Sequence, residues 1–141
     1  MRRGTSALSW YERGLALESV DPAAAIVAYE RALAGRADLA DAHNNLGRLL
    51  HDAGNLAGAE ARYRQALEVD DAVALYHFNL GVVLEDLGRT DEAVAVYERI
   101  VKLDPECADA HFNLASLYER TGRTIAALRH KRAYEKLTLP H

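Results

Sequence analysis

Apolar residues in the middle of the chain fall at helical spacing, with Leu46, Leu49 and Leu50 in one run and Ala59, Tyr63, Ala66 and Leu67 in the next. The pair of runs then returns. His43-Asn44-Asn45-Leu46-Gly47 recurs as His77-Phe78-Asn79-Leu80-Gly81 and as His111-Phe112-Asn113-Leu114-Ala115, each step being 34 residues. Gly54, Gly88 and Gly122 keep that step, and so do Ala59, Ala93 and Ala127. Self-similarity at a fixed period of this size marks a repeat architecture, in which a unit cannot bury its apolar face alone and stacking completes the core.

The period predicts units at 40–73, 74–107 and 108–141, preceded by a divergent copy at 7–39 and an N-terminal flank at 1–6. In the divergent copy Trp10, Gly14 and Leu17 fall in a first helix, and Ala25, Tyr29 and Ala32 in a second, across a shorter turn. Asp21 is placed to cap that second helix, with Pro22 in the first turn, where the missing N–H costs nothing. Elsewhere Gly54, Gly88 and Gly122 supply the left-handed residue that ends each first helix. Asp104-Pro105 is expected to open the last unit, the aspartate as cap and the proline as the first helical residue. Gly47, Gly81 and Ala115 on first helices and Ala59, Ala93 and Ala127 on second helices allow close backbone approach, with Tyr63 and Tyr97 filling the larger gaps.

From about residue 7 to the end, these positions resemble the tetratricopeptide repeat family. Trp10 and Pro105 match its aromatic and proline positions literally, while His43, His77 and His111 stand where a large aromatic is usual. The resemblance implies an all-α fold, a right-handed α-solenoid of four stacked helix-turn-helix hairpins. It also implies a concave groove lined by the first helices. Asn45, Asn79 and Asn113 then occupy equivalent groove positions, and an amide, both donor and acceptor, can pair with the backbone of an extended peptide. This is similar to the asparagine ladder in the repeat region of O-linked glycosyl transferases.

Around that row the resemblance places Asn44 and Arg48 in the second unit, and Leu75, Phe78 and Val82 in the third. Asp109, Phe112 and Ser116 follow in the fourth. Phe78 and Phe112 either form a ligand pocket or pack against a neighbouring helix. Asp41, Leu75 and Asp109 stand where the family's carboxylate clamp needs a base, so an acidic tail is not the expected ligand. A peptide with apolar and basic side chains suits the lining better.

Composition narrows the remaining classes. At 141 residues and 50% hydrophobic content the chain can bury a core, and a net charge of −4 offers no global basic field for nucleic acid. No stretch approaches the ~20 apolar residues that span a bilayer. The lone Cys107 has no internal disulfide partner, which suits a reducing, cytoplasmic setting. No metal site is expected from His43, His77 and His111, because stacked hairpins hold equivalent residues about 8–10 Å apart. Glycine-rich phosphate loops and nucleophile–base arrangements are not found, so neither an enzyme nor a cofactor is expected.

The expected function is therefore a protein-protein interaction scaffold that binds an extended segment in its groove. Two alternatives stay open. The array could self-associate through its C-terminal helix, where Lys131 replaces the aromatic of Tyr63 and Tyr97 and Tyr134, Leu137 and Leu139 remain apolar. It could instead be a regulatory module of a larger protein, for example a transcription regulator.

Overall fold

The computed structural model describes residues 5–140; the basic start Met1-Arg2-Arg3-Gly4 and the terminal His141 lie outside the described residues. Among the described residues the fold is all-α. Its helices are α1 (Ala7–Leu17), α2 (Pro22–Gly35), α3 (Ala40–Asp52), α4 (Leu56–Val69), α5 (Ala74–Asp86), α6 (Thr90–Leu103), α7 (Ala108–Arg120) and α8 (Thr124–Thr138). The chain divides into two compact units, Met1–Tyr76 and His77–His141.

In the first unit, short polar side chains start three of the helices. Ser6 accepts from the Ser9 N–H, Asp21 from Ala24 with Pro22 as the first helical residue, and Asn55 from Gly58. Gly54, at φ +85°, turns the chain between α3 and α4, and the Asn55 N–H then returns to the Leu50 carbonyl at 2.8 Å. Gly14 and Gly47 do a different job. A Cβ on Gly47 would lie 2.7 Å from the Tyr63 ring, and one on Gly14 would lie 2.5 Å from Tyr29. Each tyrosine rests on bare backbone. α3 then lays Ala42, Leu46 and Leu49 against Ala25, Tyr29 and Leu33 of α2, with Tyr11 and Leu17 of α1 at the margin.

The second unit repeats the device once. Gly81 underlies Tyr97, 2.7 Å from a notional Cβ, and Tyr97 is fully buried. In the last hairpin Ala115 and Lys131 take those two positions, and Lys131 is exposed. Neither α6 nor α8 has a side-chain cap, although Asp91 and Glu92 place negative charge in the first turn of α6, where the helix dipole favours it.

One expected helix start is corrected. Asp104 is the C-cap of α6 rather than the cap of α7, and its Oδ1 accepts from the Glu106 N–H at 3.1 Å in a local turn. Pro105 therefore stays in the loop. α7 opens three residues later at Ala108, with Cys107 as N-cap. The freed Pro105 carbonyl accepts from Nε2 of His111 at 2.8 Å, and the Ala37 carbonyl receives Nε2 of His43 in the same way at 2.9 Å. These buried imidazoles tie the loop between hairpins to the helix that follows it, a polar task for a position that an apolar aromatic could only fill.

Candidate functional site

The residues expected in a groove fall into three environments. Leu75, Phe112, Asp109 and Ser116 are exposed; Leu75 and Phe112 keep 56% and 54% of their surface open. Asn45, Asn79, Asn113, Arg48, Phe78 and Val82 are half-buried. Asn44 is buried, with 4% exposure, and so presents no open face. It shares a helical turn with Asn45 but points into the packing, as its neighbours His43 and Ala42 do.

Several of these side chains already have work inside their own unit. The Asn45 amide makes a long 3.5 Å contact to the Tyr29 hydroxyl, and the Asn113 amide acts on the Tyr97 hydroxyl in the sense that favours its phenolate. Neither Asn44 nor Asn79 is free of partners. Tyr29 donates to Glu18, and Tyr97 donates to Glu85 at 2.6 Å. Burial first, then the neighbouring carboxylate, pushes both hydroxyls far above the ordinary phenol range, so they remain donors at any physiological pH. Arg48 closes the first of these clusters with 2.9 and 2.8 Å bonds to the two Glu18 oxygens. Phe78 sets its edge toward Tyr97, with ring centroids 5.8 Å apart.

Open space lies beside them. In the first unit a cavity of about 220 Å³ is walled by Leu8, Tyr11, Leu39, Asp41 and Tyr76, with Tyr76 donating to the Asp41 carboxylate. In the second unit a cavity of about 340 Å³ is formed by Phe112, Ala115, Ser116 and Glu119 of α7 with Lys131, Tyr134 and Glu135 of α8. Phe112 leans on Tyr134 there, with centroids 5.2 Å apart. Both cavities combine aromatic walls with carboxylates, which suits apolar and cationic groups, and the second adds the Lys131 ammonium.

A buried polar chain runs through the second unit that sequence reasoning did not assemble. Nδ1 of His111 meets Nδ1 of His130 at 2.9 Å, Nε2 of His130 faces Glu98 Oε1 at 3.3 Å, and the same oxygen accepts from Tyr118 at 2.6 Å. A carbonyl only accepts, so His111 Nε2 carries its hydrogen toward Pro105 and a neutral His111 offers a bare Nδ1. His130 then donates from Nδ1, and its Nε2 can donate to Glu98 only when the ring is protonated. Burial, the largest influence, holds His130 below the usual imidazole pKa, with His111 and Arg129 pressing the same way and Glu98 opposing. Burial and Glu98 raise Tyr118 to about 12. The signal in the sequence was slight: His130 sat inside a basic run, which reads as a solvated face.

Known proteins place this geometry. A tetratricopeptide repeat model matches residues 15–68, 52–106 and 78–136. A crystal structure of MamA superposes with a TM-score of 0.89 over 93% of this chain and 77% of its own, at 19% identity. A structure of MamA AMB-1 gives 0.83 over 94% and 73%, at 26% identity. A structure of pilF from Pseudomonas aeruginosa gives 0.85 over 96% and 63%, at 19% identity. Among curated proteins no sequence match is found. No helix among the described residues is long and apolar enough to cross a membrane. With the family model matching most of its length and the hairpins repeating at the family's period, the chain belongs to the tetratricopeptide repeat family.

Proposed function

We propose that the chain is a non-enzymatic protein-interaction module whose first helices hold an extended segment of a partner. The observation that carries this reading is the exposure of large apolar side chains on those helices: Leu8 at 51%, Leu75 at 56% and Phe112 at 54%. Exposed apolar groups rimmed by polar ones mark interaction surfaces. Asp41 beside the first cavity and Glu119 and Glu135 beside the second favour a partner with basic and apolar side chains. Asn45, Asn79 and Asn113 are the backbone-reading groups of this proposal, since a primary amide is both donor and acceptor. A cytoplasmic setting accords with the single unpaired Cys107.

Selection from a random peptide display library tests the reading. The expected peptides are extended, with alternating apolar and basic residues, and they lose binding to a Leu75→Ser, Phe112→Ser double variant whose helical melt is unchanged. Equal binding by that variant refutes the groove. The second reading, self-association through α8, is favoured by Ile125, which is 80% exposed, together with Leu128, Leu137 and Leu139. A constant molar mass by light scattering across a wide concentration range removes it.

A further inference from the structure

The first unit contains its own example of a filled groove. α3 covers the channel between α1 and α2, laying its small and leucine stripe on Tyr29 and Leu33 and sending Arg48 to both oxygens of Glu18. The repeat register maps that channel onto α7 and α8: Tyr11 becomes Phe112, Gly14 becomes Ala115, Tyr29 becomes Lys131 and Glu18 becomes Glu119. Here no helix among the described residues lies on top. Cavities of about 340 and 140 Å³ flank Lys131 instead, the second reaching Leu128, which is exposed.

The glutamate adds a charge argument. Glu18 takes Arg48 from the next first helix, and Glu85, at the equivalent position in the third hairpin, takes Arg120 of α7 at 3.4 Å. Glu119 is the same position once more and is exposed. We propose that the α7/α8 channel is a docking site for an amphipathic helix of a partner protein, one with a small and leucine stripe and an arginine that pairs with Glu119. The substitution of lysine for tyrosine sharpens the specificity. Where Asn45 of α3 reaches the Tyr29 hydroxyl, the incoming helix meets the Lys131 ammonium, so an acidic residue three positions before the arginine fits best. This goes beyond the extended-segment reading: the two share Phe112 and the larger cavity, but the helix also covers the cavity beside Leu128 and differs in secondary structure.

The test uses the full chain and a fluorescein-labelled peptide of residues 39–53, the α3 sequence, read by fluorescence anisotropy. A companion peptide carries Asn45→Asp. The companion binds several-fold more tightly than the parent, and Glu119→Gln in the protein weakens it roughly tenfold, as for loss of one charge-assisted bond. Changing the peptide arginine, Arg48→Gln, weakens it similarly but adds little on the Glu119→Gln protein, because both changes remove one interaction. Leu128→Glu abolishes binding, whereas Leu75→Ser, which disables the extended-segment face, leaves it intact. Glu119 and Leu128 are exposed, so helical melting stays unchanged in both variants. Binding that ignores Glu119 and Leu128, or no binding by either peptide, overturns the proposal. So does a concentration-dependent dimer that Leu128→Glu dissolves, since the occupant is then a second copy.

Discussion

The hairpin of α3 and α4 and the hairpin of α7 and α8 share their backbone course and differ in what lies between the helices. In the first, Gly47 lets Tyr63 close the space completely. In the last, a methyl group at Ala115 and a charged stem at Lys131 leave it open. Their histidines differ in the opposite sense. Nδ1 of His43 is buried without a hydrogen-bond partner, whereas Nδ1 of His111 has His130. The position of His130 is held by Arg62 in the earlier hairpin. The earlier hairpin is thus well packed but leaves His43 Nδ1 without a partner, and the later one gives His111 Nδ1 a partner but is loosely packed. Packing and hydrogen bonding have been traded separately on one backbone.

The largest test of that contrast is truncation at the tyrosine position. Tyr63→Ala is expected to cost about 3–5 kcal/mol by chemical denaturation, as for other buried aromatics, while Lys131→Ala changes stability by less than about 0.5 kcal/mol. Similar losses at both positions would break the comparison. Next in size is the glycine. Gly47→Ala pushes a methyl into the Tyr63 ring and should cost about 1–3 kcal/mol, although alanine is the better helix former. Ala115→Gly, the reverse exchange, should cost about 1 kcal/mol from helix propensity alone.

A third test concerns protons. His43 and His130 are both held below the ordinary imidazole pKa, chiefly by burial, so the folded chain binds fewer protons than the unfolded chain just below pH 6.5. Stability is therefore full above about pH 6.5 and declines as the pH falls toward the folded values. The melting temperature should drop between pH 7 and pH 5, and a His130→Phe variant should show a shallower decline than its parent. The smallest effect is a repair. Arg62→His copies the later pair into the earlier hairpin, gives His43 Nδ1 a donor, and should raise stability at pH 7.5 by about 1 kcal/mol. An imidazole nitrogen spectrum that shows His43 Nδ1 still without a bond would count against it.

How legible all this was depended on whether a feature was local. Gly54, Gly88 and Gly122 were readable because a left-handed residue after a helix is a one-residue requirement, and all three have φ between +76° and +85°. Asp21 with Pro22 was readable for the same reason. Asp104 with Pro105 carried the same two letters and meant something else, since an aspartate can close a turn after one helix as easily as cap the next. The face of Asn44 was lost to its twin, because adjacent asparagines give no clue to which one turns inward. The Tyr29–Glu18 and Tyr97–Glu85 bonds join residues 11 and 12 apart, and nothing in composition singles out one glutamate from its neighbours. The network of His111, His130, Glu98 and Tyr118 spans three helices and was invisible until they were packed.

The amide-to-hydroxyl contacts have a consequence for how such a chain can change length over evolutionary time. Asn45 reaches Tyr29 and Asn113 reaches Tyr97, and each pair is the same 16 residues apart. A duplication or loss of one 34-residue block would preserve that spacing at the new joint, so the gene could gain or shed a hairpin without reinventing the seam. Lys131 is where this grammar stops. A block added after it would present its asparagine to an ammonium group, and only a second mutation, lysine back to tyrosine, would let the sentence continue.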